Sequence, residues 1–188
     1  MPTLMVDFII SLDGYGAAEG WPGLWGMEVP QYMGWLNEQE EHVSLMGATT
    51  YRLMSGFAEQ MPDEPGMGGL TEMKKVVFSS TLEAPLSWAN TELITGDPVE
   101  AVRAMKQEEG LPMRTLGSLT LCRSLLQAGL VDRYRVVVFP VINGATGHDR
   151  IFDGYPDVAL ELVDHRTLDG RLQMLEYVPT VLDAPPGA

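Results

Sequence analysis

Cysteine is almost absent: Cys122 stands alone, so no internal disulfide can form and nothing in the thiol content points to secretion. Basic residues are also scarce. Twelve Lys and Arg face 26 Asp and Glu, a net charge of −14. That field repels phosphate backbones and anionic lipid, which sets nucleic acid and membrane surfaces aside as partners. Only three histidines occur, His42, His148 and His165. They are too far apart for metal-ligand spacing, so no metal is expected. No apolar run reaches the roughly 18 residues that would cross a bilayer. Residues 1–12 lack Lys and Arg and carry Asp7 inside their apolar run, the wrong arrangement for a signal peptide. The expected setting is soluble and cytoplasmic.

Familiar catalytic motifs are missing too. There is no G-x-S-x-G elbow and no P-loop. Gly14-Tyr15-Gly16-Ala17-Ala18-Glu19-Gly20 comes near a dinucleotide fingerprint, but its last glycine falls one residue late. Trp21-Pro22-Gly23 then follows where a helix should open, so the segment reads as a flexible loop after a strand.

What is present suffices for a folded domain with a core. The 188 residues amount to about 1.25 typical domain lengths, and residues 1–180 are expected to form a single domain with a loose tail at 181–188. Hydrophobic residues make up 45% and charged residues 20%, an ordinary globular balance. Short β-branched runs predict strands over residues 4–12, 43–46, 75–79, 91–95, 113–116 and 135–139. Helices are expected from Pro30 to about Glu41, over 49–57, from Pro98 to Glu108, and after Gly117-Ser118 up to Gly129. In that last helix Cys122 shares an apolar face with Leu121, Leu125 and Leu126, so it reads as core. Residues 58–72 read as a long loop. Residues 159–164 and 172–178 form a hairpin turning near Asp169-Gly170. The pattern predicts an α/β fold with a mostly parallel sheet, covered on both faces and closed by a C-terminal antiparallel hairpin.

Three junctions between strand and helix carry small or hydroxyl-bearing residues: Gly47-Ala48-Thr49-Thr50, Ser79-Ser80-Thr81 and Gly117-Ser118. Each alone reads more readily as a helix cap. All three fall at one end of a parallel sheet, where hydroxyls and free backbone N–H groups form an anion site without a basic side chain. Together they suggest a site for a phosphate-bearing cofactor.

Several stretches occur in a telling order. They are Ser11-Leu12-Asp13-Gly14, Met46-Gly47-Ala48-Thr49-Thr50-Tyr51, Val76-Val77-Phe78-Ser79-Ser80-Thr81-Leu82, Gly117-Ser118, and Gly129-Leu130-Val131-Asp132 leading to Val137-Val138-Phe139-Pro140-Val141. The ordered set, spanning residues 4–178, resembles the dihydrofolate-reductase-like three-layer fold, within the family of the riboflavin-biosynthesis reductase C-terminal domain. The resemblance implies hydride transfer from NADPH to a heterocyclic or C=N/C=O substrate, commonly by a homodimer. It implies that Gly47, Thr49 and Thr50 meet cofactor phosphate, Ser79 and Ser80 the adenosine end, and Gly117, Ser118 and Leu119 the diphosphate. Ile10, Leu12 and the Gly14 loop would lie beside the nicotinamide and substrate.

The chain departs from these relatives at informative places. Ala48 stands where the family carries an arginine that holds the 2′-phosphate of NADPH, which opens NADH as a cofactor. Tyr32 occupies the position of the pterin-holding carboxylate of dihydrofolate reductases. Tyr15 and Leu116 replace the arginine and glutamate of the riboflavin-pathway reductases. Asp13 is the candidate proton relay.

The first basic residue is Arg52, preceded by seven carboxylates and by Tyr15, Trp21, Trp25, Tyr32 and Trp35. If this segment walls the substrate pocket, with Tyr15, Trp25 and Tyr32 as substrate contacts, it suits a flat neutral or cationic molecule. Alternatively the aromatics are core and the carboxylates a solvated rim. Two functions from different classes follow: a pyridine-nucleotide-dependent reductase, or a non-catalytic binding module that keeps the fold and has lost tight cofactor binding.

Overall fold

The computed structural model describes all residues except Trp21, Pro22, Pro65 and Ala188. The β-structure comprises a main sheet and a separate two-stranded ribbon. The chain divides into two compact units. Unit 1 comprises Met1–Met5 and Glu40–Leu130, and unit 2 comprises Val6–Gln39 and Val131–Ala188. β1 (Leu4–Ser11) has its first two residues in unit 1 and the rest in unit 2.

Unit 1 holds β3 (Val43–Gly47), β4 (Lys75–Phe78), β5 (Thr91–Ile94) and β6 (Met113–Thr115). All pairings here are parallel: Ser44 lies opposite Lys75, Val43 opposite Met113, and Leu4 opposite Met113 on the other side of β6. Residues 43–46 and all four residues of β4 are buried, which is why these strands read as continuous rather than alternating apolar runs. The connecting helices are α2 (Ala48–Gln60), α3 (Met67–Glu72), α4 (Pro98–Met105) and α5 (Leu119–Gln127). One core cluster joins Met46, Tyr51, Met67, Val77 and Trp88. In α5, Leu121, Cys122, Leu125 and Leu126 are buried, as their spacing predicts.

α3 lies inside the stretch expected to be a loop, and α2 runs three residues past its expected end. The α3 sequence, Met-Gly-Gly-Leu-Thr-Glu, has little helix propensity of its own. The first residue of the strand that follows closes its end instead. The Lys75 ammonium is 1% exposed and donates to the carbonyls of Leu70, Thr71 and Met73 at 2.8, 2.9 and 2.6 Å. It also lies 4.6 Å from the centroid of the Trp88 ring. A cation at a helix C-terminus satisfies orphan carbonyls and opposes the dipole.

Unit 2 contains the remainder of β1, then β7 (Arg133–Phe139), β9 (Val158–Leu168) and β10 (Leu172–Val181). β10 pairs antiparallel with both β7 and β9, which confirms the C-terminal hairpin and lengthens both of its strands. Its turn places Asp169 and Gly170 at φ 52° and 65°, the left-handed pair a tight hairpin requires. That turn also serves a helix. Asp169 accepts from the backbone N–H groups of Gln31 and Tyr32 at 2.9 and 3.0 Å, and Gln31 Oε1 accepts from Asp169 N at 2.6 Å. The helix so capped, α1 (Pro30–Asn37), ends four residues earlier than expected. Glu38, Glu40 and Glu41 follow it, and carboxylates are unfavourable at the negative end of a helix. Below α1, Val29, Tyr32, Trp35, Val137, Phe139, Leu168, Leu172 and Met174 form the unit's core.

The ribbon of β2 (Tyr15–Ala18) and β8 (Gly147–Arg150) pairs Tyr15 with Arg150 and Ala17 with His148. From sequence the β2 segment alone reads as loop, because Gly-Ala-Ala carries no strand preference of its own. Among the described residues, no helix is long and apolar enough to cross a membrane.

Candidate functional site

In unit 1, two of the three glycine-and-hydroxyl corners meet. Gly47 ends β3 and precedes α2; Gly117 and Ser118 link β6 to α5. Ser118 Oγ accepts from Gly47 N at 2.7 Å and lies 2.8 Å from Thr50 Oγ1. Gly117 and Ser118 both take left-handed conformations, φ 56° and 67°. A Cβ on Gly117 would come within 3.2 Å of Thr50 Oγ1, so a side chain there would crowd Thr50 as well as strain the left-handed backbone.

The electrostatics of this corner follow from what the helices lack. Among the described residues neither α2 nor α5 is capped by the side chain of its own N-cap residue, and neither has an acidic residue in its first turn. α4 is the contrast: Asp97 caps Val99 N at 2.8 Å and Glu100 sits in the first turn. An uncapped helix start presents orphan N–H donors and a partial positive charge. Two such starts, α2 at Ala48-Thr49-Thr50 and α5 at Leu119, are tied together through Ser118. This arrangement fits an anion without a lysine or arginine at its centre.

The third corner follows β4. Ser79 Oγ accepts from Thr81 N at 3.1 Å and Leu82 N at 3.2 Å, closing a local turn, and lies 3.3 Å from Thr81 Oγ1. Ser80 is exposed. Arg52 of α2 reaches this corner, with its Nη2 3.5 Å from Thr81 Oγ1.

In unit 2, Asp13 follows β1. Its Oδ1 accepts from the buried Ser11 hydroxyl at 2.6 Å and from Asn143 N at 3.0 Å. The Ser11 hydroxyl above all, then the Asn143 N–H and the more distant Arg150, hold the Asp13 carboxyl below its ordinary range. It is therefore a carboxylate at neutral pH, able to accept a hydrogen bond or a proton and not to donate one.

Gly14 stands at φ 87°, and a Cβ there would touch the Phe152 ring at 3.1 Å. The Tyr15 ring covers Gly147, where a Cβ would fall 2.5 Å from ring carbon, and Arg150 lies 5.8 Å from its centroid. Ile10 is buried. Tyr32 is 6% exposed and 6.1 Å from Phe139, and Trp25 lies 4.9 Å from Phe139. Tyr32, Trp35 and Trp25 thus pack in or against the core of unit 2, while Trp21 lies outside the described residues.

Sequence reasoning also missed the polar centre of this unit. Arg135, 2% exposed, donates to Asp7 through Nε at 3.1 Å and Nη2 at 2.6 Å, and to Gln39 Oε1 at 2.8 Å. Its guanidinium lies 4.5 Å from the Trp35 ring centroid. This explains an aspartate within the apolar run of β1.

Residues 2–174 match the sequence profile of the RibD C-terminal domain. The chain belongs to that family. It is 23% identical over 181 residues to the uncharacterised Bacillus subtilis protein YyaP, covering 93% of both chains. A structure from Shewanella sp. PV-4, named for riboflavin biosynthesis, superposes with a TM-score of 0.70 at 17% identity, over 95% of this chain and 99% of that one. Enterococcus faecalis dihydrofolate reductase complexed with NADP(H) gives 0.59 at 14% identity, over 95% and 96%. The fold is accordingly dihydrofolate-reductase-like, as the ordered motifs implied.

Proposed function

We propose that this member of the RibD C-terminal domain family is a pyridine-nucleotide-dependent reductase acting on a small heterocyclic substrate. The observation that carries the reading is the pair of uncapped helix starts in unit 1, linked through the Ser118 hydroxyl to Gly47 N and Thr50. Gly47, Thr49, Thr50, Gly117, Ser118 and Leu119 would hold the diphosphate, and Ser79 and Ser80 the adenosine end. In unit 2, Asp13 and Tyr15 would meet the substrate. When bound, the reduced nicotinamide supplies a hydride.

Asp13 is held ionised by Ser11 and Asn143. It therefore acts as the acceptor for a substrate N–H, and the proton that completes reduction of a C=N bond comes from water. An ionised carboxylate favours a substrate that is neutral or cationic there. A cytoplasmic homodimer using NADPH belongs to the same reading.

Titration of the protein with NADPH and NADH, followed by nicotinamide fluorescence excited through the tryptophans, tests it. Saturable binding is expected, together with loss of absorbance of the reduced nicotinamide in the presence of a member of a pteridine and pyrimidine panel. Binding without turnover across the panel, or no binding at millimolar cofactor, would favour the non-catalytic module. Ala48 is the residue that favours that alternative, because a methyl group cannot replace a guanidinium on phosphate.

A further inference from the structure

We infer that unit 1 carries a second binding site, for a small organic ammonium with an apolar body, in a cleft at the end of the parallel strands remote from Gly47 and Ser118.

The cleft, about 390 Å³ in volume, takes its lining from the second half of α2, from α3 and from the approach to β5. Its place follows from the topology. β3, β4 and β5 run parallel. Gly47 ends β3, whereas Glu72 precedes β4 and Ala89 precedes β5. Glu72 and Ala89 share the cleft with Glu59, near the far end of α2. The cleft thus belongs to the edge where the strands begin, and the glycine-and-hydroxyl corners to the edge where they finish. Its volume falls in the range of small-molecule pockets, roughly 300–1,000 Å³.

Its chemistry selects a ligand. Ala58, Pro62, Trp88 and Ala89 supply apolar walls. Trp88 Nε1 donates to Thr71 Oγ1 at 3.0 Å, and Ser87 Oγ lies 3.2 Å from the Tyr51 hydroxyl. The indole therefore offers ring carbon rather than a donor. What is left is charge. Glu59 and Glu72 line the cleft, no lysine or arginine does, and among the described residues neither carboxylate joins an ion pair. The two bases that follow Glu72 are occupied elsewhere: Lys74 lies 3.9 Å from Glu92, and the Lys75 ammonium is buried against three carbonyls.

Gly68, in α3, points independently to a space kept open. Glycine weakens a helix relative to alanine. Here the backbone is not left-handed, and a Cβ would meet nothing within 4 Å. Neither conformation nor packing demands glycine, and its missing side chain leaves the cleft unfilled. An ammonium can donate to the carboxylates while its apolar part leaves water against the walls. A bare metal ion would leave those walls unused, and an anion would meet two negative charges.

Titration with phenethylammonium chloride and with phenethyl alcohol, its neutral analogue, tests this through amide chemical shifts. The proteins compared are the unaltered chain, Glu59→Gln, Glu72→Gln and Gly68→Leu, with circular dichroism as the check on folding. The ammonium should shift the Gly68, Thr71 and Ala89 amides saturably, and the alcohol should bind about tenfold more weakly. Each glutamine variant should weaken the ammonium about twofold to fivefold, and Gly68→Leu should abolish binding by filling the cleft. Four outcomes overturn the inference. Equal affinity for the alcohol, or unchanged affinity in both glutamine variants, removes the charge recognition. Shifts that persist in folded Gly68→Leu place the ammonium elsewhere, and shifts that never saturate mean only ionic screening of an acidic surface. The cleft shares no residue with the proposed cofactor site, so the result stands apart from the reductase reading.

Discussion

Lys75 shows how one side chain can substitute for propensity. Its ammonium closes three carbonyls at the end of a glycine-rich helix, so removing it strands those acceptors. Lys75→Met is expected to cost about 2 kcal/mol in chemical denaturation at pH 7. Burial pushes the Lys75 pKa down from 10.5 to about 8, so the unfolded chain binds this proton more tightly than the native one. Stability from this group therefore rises as pH climbs from about 8 to about 10.5 and is flat below about 8. Denaturation midpoints across that range should show the rise in the unaltered protein and not in Lys75→Met; parallel profiles would refute the assignment. None of this was legible in the sequence, where Lys75 reads only as the first residue of a strand. Its partners come from a helix that propensity gives no reason to expect. Gly47, Gly117 and Ser118 were legible, because strand-to-helix junctions are local and their chemistry follows from the residues themselves.

Elements in this protein borrow their ends from distant segments. α1 has no cap of its own; Asp169, 137 positions from Tyr32, supplies it from the β9–β10 turn. Asp169→Ala should cost about 1 kcal/mol, read as a lowered melting temperature. Amide exchange should quicken in the first turn of α1 while β3 and β4 stay protected. Uniform loss of protection would mean that the contact is not a local cap. The hairpin was foreseen from Asp169-Gly170, yet the aspartate's second task could not be, since it depends on where the turn lands in space. The same holds for β2 and β8, which are strands only because they pair with one another, and for Asp7, whose presence in β1 makes sense only beside Arg135.

For the whole molecule, the parallel run of strands and the C-terminal hairpin were readable because periodicity and glycine placement are properties of short windows. The outer edge of unit 2 raises the matter of assembly. β9 is the terminal strand of the order β7-β10-β9, contains no proline or lysine, and exposes Leu160, Leu162 and Val163. Glu161, Asp164 and Arg166 put charge along this edge, yet its exposed apolar residues leave it open to pairing, and the proposed homodimer would cover it. Light scattering should return twice the 20.7 kDa chain mass, and Leu162→Asp should return the single mass; a monomer from the start removes the dimer from the reading.

The bare starts of α2 and α5 have a practical corollary. If these groups hold a nucleotide's phosphates as proposed, they accept other small oxyanions too, and sulfate or phosphate in the buffer becomes a rival occupant. Affinities measured in such media would understate the protein's grip, whereas a chloride or amine buffer would reveal it.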